Sequence, residues 1–130
     1  MAKTGKKILL VVEDEEVLLR AMYISLHNEG YTVATATDGD TALSMVERIK
    51  PNLILLDLIM PKVDGFDFLR RIKAIPALKD IPIIVLSNLG DETDISKAKA
   101  LGAVDYFVKA NTDLATLAKK IKVTLIRHKK

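Results

Sequence analysis

Hydrophobic and polar positions alternate along the chain in two textures. Short apolar runs recur at Lys7 to Val12 (KILLVV), Tyr31 to Ala36 (YTVATA), Leu53 to Asp57 (LILLD), Ile83 to Ser87 (IIVLS) and Val104 to Lys109 (VDYFVK). Between them lie segments with apolar residues every three or four positions, the spacing of a helix buried along one side. The first predicted helix runs from about Glu15 to Glu29 and is closed by Gly30. The second follows a turn at Asp38 and Gly39, with Asp40 as the expected cap, Leu43, Val46 and Ile49 on one side, and Pro51 as its end. The third carries Phe66, Leu69 and Ile72, and a loop flanked by Pro76 and Pro82 follows it. A weaker helix from about Thr93 to Leu101 is built on Ile95, Ala98 and Leu101 and stops at Gly102, and the last places Leu114, Leu117, Ile121 and Leu125 at core spacing.

Five strands alternating with five helices predict an α/β fold, because parallel neighbours need crossover helices and right-handed crossovers cover both faces of the sheet. An open, doubly wound (βα)5 sheet is the expected result, since about 120 structured residues are too few for an eight-unit barrel. Ligands of such sheets bind at the carboxyl ends of the strands.

The third run raises the chemical question. PNLILLDLIMP, Pro51 to Pro61, sets one carboxylate, Asp57, inside an apolar run. An isolated buried carboxylate costs several kcal/mol unless it is paired or metal-bound. The strand edge simply surfacing at Asp57 is the plain alternative. The other strand ends offer partners: Glu13 and Asp14 after the first, Ser87 at the fourth and Lys109 at the fifth. Each has an ordinary explanation alone, as a helix start, a turn residue or a solvated cation. Together they form the chemistry of an aspartyl phosphate site: a carboxylate nucleophile, an acidic metal pocket, a hydroxyl and a cation. Carboxylates about 4 Å apart repel by roughly 4 kcal/mol at an effective dielectric near 20, so three of them require a cation. An all-oxygen ligand set with no Cys or His at the strand ends suits Mg²⁺, with Mn²⁺ as a substitute, rather than zinc.

Composition narrows the setting. The 130 residues include no Cys, and 49% are hydrophobic, which fits one compact domain with a substantial core and no disulfide or thiolate chemistry. No apolar run approaches a membrane span, and the basic N-terminus lacks a signal-type apolar core, so a cytoplasmic, non-membrane protein is expected. The net charge of +3 hides an uneven distribution: residues 8 to 118 hold all 17 acidic residues and only 11 of the 20 basic ones, a net of −6. The basic excess lies at the ends, in Lys3, Lys6 and Lys7 and in Lys119, Lys120, Lys122, Arg127, Lys129 and Lys130. Without aromatic residues for stacking there, a solvated helix end explains it better than a nucleic-acid surface.

The motifs VVED, LILLDLIMP, VLSN and DYFVKA, at these separations and in this element order, resemble the receiver domain of two-component response regulators, and are similar to the single-domain chemotaxis receiver. The resemblance implies a flavodoxin-like sheet of strand order 2-1-3-4-5. It implies one receiver domain over residues 1–130, with residues 1–6 as an extension and 127–130 as a basic tail, either stand-alone or part of a longer regulator. It implies Asp57 as phosphoacceptor, Asp14 as direct Mg²⁺ ligand, the Ile59 carbonyl as a further ligand and Glu13 acting through water. Ser87 would then hydrogen-bond the phosphoryl group, Lys109 would pair with it, and Tyr106 would be the switch aromatic beside Ser87. A histidine kinase or phosphotransfer protein would supply the phosphoryl group. A downstream protein target would meet the face of the fourth helix, fifth strand and fifth helix near Lys97, Lys119 and Lys122, a face that also supports homodimers in the family.

Three alternatives use the same fold or a similar α/β sheet. A pseudo-receiver, a protein-binding module without phosphorylation, normally lacks part of the acidic set or the Lys, and nothing is missing here. An aspartate-dependent phosphatase is expected to carry a second Asp where this chain has Ile59, together with a cap segment. A flavin carrier needs a Ser/Thr/Gly-rich loop where this chain has the acidic EDEE (Glu13 to Glu16), which repels phosphate.

Two departures from the family pattern stand out. Ala110 replaces the usual Pro after the Lys, where the family has a cis peptide, and a cis bond between Lys109 and Ala110 is expected so that the Lys still reaches Asp57. Asn88 replaces the usual small residue after the hydroxyl, which narrows the entrance or adds a hydrogen bond to the phosphoryl group. Ile59 and Leu89, two residues beyond Asp57 and Ser87, are apolar and predict slow hydrolysis of the acyl phosphate, because neither orients an attacking water.

Overall fold

The computed structural model describes residues 6 to 128. The expectations for Lys3, for the extension before residue 6 and for Lys129 and Lys130 lie outside the described residues. In chain order the elements are β1 (Ile8–Val12), α1 (Glu16–Asn28), β2 (Thr32–Ala36), α2 (Gly39–Ile49), β3 (Leu53–Leu56), α3 (Gly65–Ala74), β4 (Ile83–Ser87), α4 (Glu92–Ala100), β5 (Asp105–Val108), a 3-10 turn (Lys109–Asn111) and α5 (Leu114–Arg127). All five strands are parallel and lie in the order β2-β1-β3-β4-β5. The doubly wound, flavodoxin-like prediction holds.

Period-two alternation divides each strand between two cores. Leu9, Val11, Leu53, Leu55, Ile84 and Leu86 meet Met22 and Leu26 of α1 and Leu117 and Ile121 of α5. Leu10, Val12, Ile54, Leu56, Ile83 and Val85 meet α2, α3 and α4 through residues such as Val46, Phe68, Ile72 and Ala98. The register Leu9↔Leu53 and Leu10↔Ile54 keeps like faces together, and a one-residue slip would exchange the two cores. The chain leaves β1 toward one sheet edge and returns past it to β3. Right-handed crossovers therefore set α1 opposite α2, α3 and α4, and leave a crevice at the carboxyl ends of β1 and β3 where the winding reverses.

Carboxylate caps fix three helix starts. Asp38 accepts from the Thr41 amide at 2.8 Å, Asp64 from the Asp67 amide at 3.0 Å and Asp113 from the Thr116 amide at 2.7 Å, each contributing about 1 kcal/mol. The cap of α2 is thus Asp38, correcting the expectation for Asp40. Asp38 has the extended backbone of a cap, whereas Asp40 lies within the first turn, where the helix dipole favours it. Arg127 belongs to α5 rather than to a tail. Gly65 lets α3 begin against β3: a Cβ there would lie 2.4 Å from the Leu58 Cα, so this glycine sets how closely the loop after Asp57 folds back. Among the described residues no helix is long and apolar enough to cross a membrane.

Candidate functional site

The carboxyl ends of β1, β3 and β5 bring Glu13, Asp14, Asp57 and Lys109 together, while the Ser87 side chain, at the end of β4, bonds to the loop that follows it. Backbone pairing continues past the strands: the Asp57 amide donates to the Val12 carbonyl and the Glu13 amide to the Ala36 carbonyl, both at 3.0 Å. Glu13 and Asp57 are therefore neighbours on adjacent strand ends, 1% and 5% exposed respectively, while Asp14 is exposed. One carboxylate oxygen from each of the three lies within 4.8 Å of the others.

Lys109 closes the group. Its Nζ lies 2.9 Å from Asp57 Oδ2, 2.9 Å from Glu13 Oε1 and 3.4 Å from Glu15 Oε1. Burial alone would lower the Lys109 pKa, but hydrogen bonds to Asp57 and Glu13 outweigh it and hold the group well above its ordinary 10.5, firmly cationic. Burial pushes the Glu13 carboxyl above 4.5, against hydrogen bonds from Lys109 and the Glu15 amide that favour the charge. Asp57 also accepts from the Ile59 amide at 3.1 Å, which ties the carboxylate to its own loop.

The route of Lys109 into the site corrects one expectation. No peptide among the described residues is cis, so the bond to Ala110 is trans. Without proline the cis form costs about 2.5 to 4 kcal/mol. The chain instead turns at once: β5 stops at Val108, Lys109 opens the 3-10 turn, and the Thr112 hydroxyl donates to the Val108 carbonyl at 2.9 Å. The long lysine stem covers the remaining distance.

Ser87 is fully buried at the end of β4, and its Oγ accepts from the Leu89 amide at 3.3 Å. Tyr106 is buried and donates its hydroxyl to the Leu89 carbonyl, so the loop after β4 is held by both residues. Burial and the charge of Asp94 raise the Tyr106 pKa, opposed by hydrogen bonding with Ser87. Asp14, Glu15, Asp57, Ile59, Asn88 and Lys109 line a cleft of about 200 Å³. Of the two apolar residues expected to flank the reacting group, Ile59 borders this cleft and is 53% exposed. Leu89 packs against the hydrophobic core instead. A larger, mostly apolar groove of about 390 Å³ between α1 and α5 shares Glu15, Asn88 and Lys109 with the cleft, but the acidic chemistry belongs to the smaller one.

Sequence reasoning missed the contact of Glu15 with Lys109, reading Glu15 as a helix start within the acidic EDEE loop. A glutamate at a position that favours Ser, Thr, Asp or Asn, within four consecutive carboxylates, was the available signal. It also missed the Leu89 carbonyl as the Tyr106 acceptor, since backbone acceptors leave no trace in residue identity. The donor set is all oxygen, clustered, partly exposed and flanked by a single ammonium, and it fits a hard divalent cation such as Mg²⁺.

Comparison with known proteins points to one family. The sequence profile described as "Response regulator receiver domain" matches residues 9–122. The chain is 43% identical over 105 residues to the "Probable transcriptional regulator ycf27" of Cyanophora paradoxa, covering 81% of this chain and 43% of that one. The chain thus spans less than half the length of that curated relative. The receiver domain of the sensor histidine kinase PA1611 of Pseudomonas aeruginosa PAO1, solved with a magnesium ion coordinated in its active site cleft, superimposes with a TM-score of 0.84 at 28% identity, covering 93% of this chain and 98% of that one. The phosphorylated cyanobacterial phytochrome response regulator RcpA gives a TM-score of 0.81 at 33% identity, covering 92% and 91%. The chain belongs to the response regulator receiver domain family.

Proposed function

We propose that this receiver accepts a phosphoryl group on Asp57 in a Mg²⁺-dependent reaction and converts it into a change on a protein-binding face. The observation that carries this reading is the Lys109 ammonium 2.9 Å from Asp57 Oδ2, with Glu13 and Asp14 oxygens within 4.8 Å. Asp14, Asp57 and the Ile59 carbonyl would hold the metal, with Glu13 acting through water and Mn²⁺ able to substitute, and the bound ion would offset negative charge on the phosphoryl oxygens.

Asp57 is aimed by the bonds it accepts, from the Ile59 amide at Oδ1 and from Lys109 at Oδ2, and a carboxylate oxygen attacks phosphorus in line. As the oxygen–phosphorus bond forms, the bond to the donor breaks and the leaving group departs on the far side. Lys109 then exchanges its contact with the Asp57 carboxylate for one with a phosphoryl oxygen, and the Ser87 hydroxyl turns to another. Because Ser87 and Tyr106 both hold the loop at Leu89, movement of Ser87 repositions that loop and the α4, β5 and α5 face. The donor in this reading is a histidine kinase or phosphotransfer protein. The output is a protein target or a second copy meeting the face near Tyr106, Lys97, Lys119 and Lys122.

Intact mass after incubation with acetyl phosphate and Mg²⁺ tests the reading: the wild type is expected to gain one phosphoryl group and Asp57→Asn none. Equal gain in both proteins would remove Asp57 from the role.

A further inference from the structure

We propose that Glu15 is a charge filter at the mouth of the cleft, which favours phosphoryl donors of the nitrogen–phosphorus class over the more negatively charged acyl phosphates. This rests on Asp57 being the phosphoacceptor.

Three observations carry it. Glu15 occupies the N-cap of α1 with an extended backbone, yet its side chain makes no capping bond and its amide is spent on Glu13 Oε2 at 3.0 Å. A short cap side chain would turn back onto the helix; this longer one reaches across to Lys109 at 3.4 Å. Its side chain is 64% exposed where that of Lys109 is 11% exposed, and it lines the cleft together with Asp57 and Asn88. Lys109 is already committed at 2.9 Å to both Asp57 and Glu13, so its contact with Glu15 is the weakest of the three and leaves that carboxylate only partly compensated.

Charge arithmetic then sets the preference. Glu13, Asp14, Glu15 and Asp57 carry four negative charges, and Lys109 with a divalent cation carries three positive ones. In-line attack by Asp57 directs the leaving group outward, to the open mouth that Glu15 borders. With phosphoramidate, a zwitterion at neutral pH, the Asp57 oxygen bonds to phosphorus, the phosphorus–nitrogen bond breaks, and the amine leaves as neutral ammonia with the protons it already held. Its ammonium faces Glu15 favourably on approach, and no negative charge develops there as the ammonia departs. With acetyl phosphate, a dianion, the leaving group is acetate, and negative charge grows beside Glu15. A protonated phosphohistidine side chain belongs to the first class.

The experiment uses the full chain at saturating Mg²⁺ and compares apparent second-order phosphorylation rate constants for acetyl phosphate and phosphoramidate. In Glu15→Gln the ratio of acetyl phosphate to phosphoramidate rates is expected to rise about threefold to tenfold, the size of one uncompensated charge at partly screened range. Glu15→Asp keeps the charge and is expected to keep the wild-type ratio, and the effect of Glu15→Gln is expected to shrink in concentrated salt. Equal changes for both donors would show that Glu15 only holds Lys109, and no change would show that it does neither; either overturns the filter. Absence of phosphorylation in the wild type, or equal labelling of Asp57→Asn, would instead overturn the assignment of Asp57, and the filter with it.

Discussion

Lys109 and Asp57 stand 52 residues apart in sequence and 2.9 Å apart in space, and the ammonium that joins them also holds the buried Glu13. It is the counter-ion of the resting site and, in the proposed function, the cation that would meet the phosphoryl group. Removing it leaves two buried carboxylates facing each other. Lys109→Ala is therefore expected to lower stability by about 3 kcal/mol without divalent metal, with part of the loss recovered by Mg²⁺ or by adding Asp57→Asn. Urea denaturation of the wild type, the two single variants and the double variant checks this, and a loss below about 1 kcal/mol would mean the pair contributes little to the resting fold.

Glu13 has a raised pKa, so the folded protein binds its proton more tightly than the unfolded chain. Its ionisation therefore disfavours folding as pH rises from 4.5 through the folded value. Without metal, the difference in stability between wild type and Glu13→Gln is expected to move against the wild type across that window. The window for Lys109 is alkaline: its stabilisation is complete below 10.5 and is lost as pH rises toward its higher folded value. Denaturation midpoints against pH decide both signs, and a flat difference for Glu13→Gln contradicts the first.

Metal affinity is expected to depend on the exposed Asp14 as well as on the buried Glu13 and Asp57. Asp14→Ala and Asp57→Ala are each expected to weaken Mg²⁺ binding tenfold or more, because each removes a proposed direct ligand. Calorimetric titration reads this directly. Unchanged affinity in both variants is incompatible with the ligand set.

Tyr106 and Ser87 meet at Leu89, so loss of the phenol is expected to separate the two ends of the response. In the wild type a beryllofluoride mimic should shift amide signals near Asp57 and also along α4, β5 and α5. In Tyr106→Ala the first set should persist and the second diminish. Identical shift patterns in the two proteins would show that Tyr106 does not carry the coupling.

Acyl-phosphate lifetime is expected to be long because Ile59, apolar and half-exposed at the cleft, offers no hydrogen bond to an attacking water. Ile59→Asn should speed decay about tenfold to a hundredfold, equivalent to about 1.4 to 2.7 kcal/mol of barrier. Leu89→Glu is the poorer probe, since Leu89 packs on the core and the change would disturb the switch loop. Decay that is no faster in Ile59→Asn would place control of water elsewhere, with Asn88 at the cleft wall the first residue to change next.

Element type and order were legible in the sequence because hydrophobic burial is periodic: Leu9 and Val11 face one way, Leu10 and Val12 the other, and no alternative register satisfies both cores. Convergence of Glu13, Asp14, Asp57 and Lys109 was legible for a related reason, since parallel strands deliver all their carboxyl ends to one edge of the sheet. What tertiary structure decided was local and angular. The cap of α2 fell to Asp38 rather than Asp40 through one extended residue, the Lys109 peptide stayed trans because a long flexible stem made the cis bond unnecessary, and Leu89 turned to the core while Ile59 stayed at the cleft. Glu15 gained its contact with Lys109 only when the first and last strands were packed into one sheet, 94 residues apart in sequence. Periodic burial acts along every element and leaves a repeating trace in residue identity. A single side-chain direction or a backbone acceptor is fixed by neighbours distant in the chain, and leaves none.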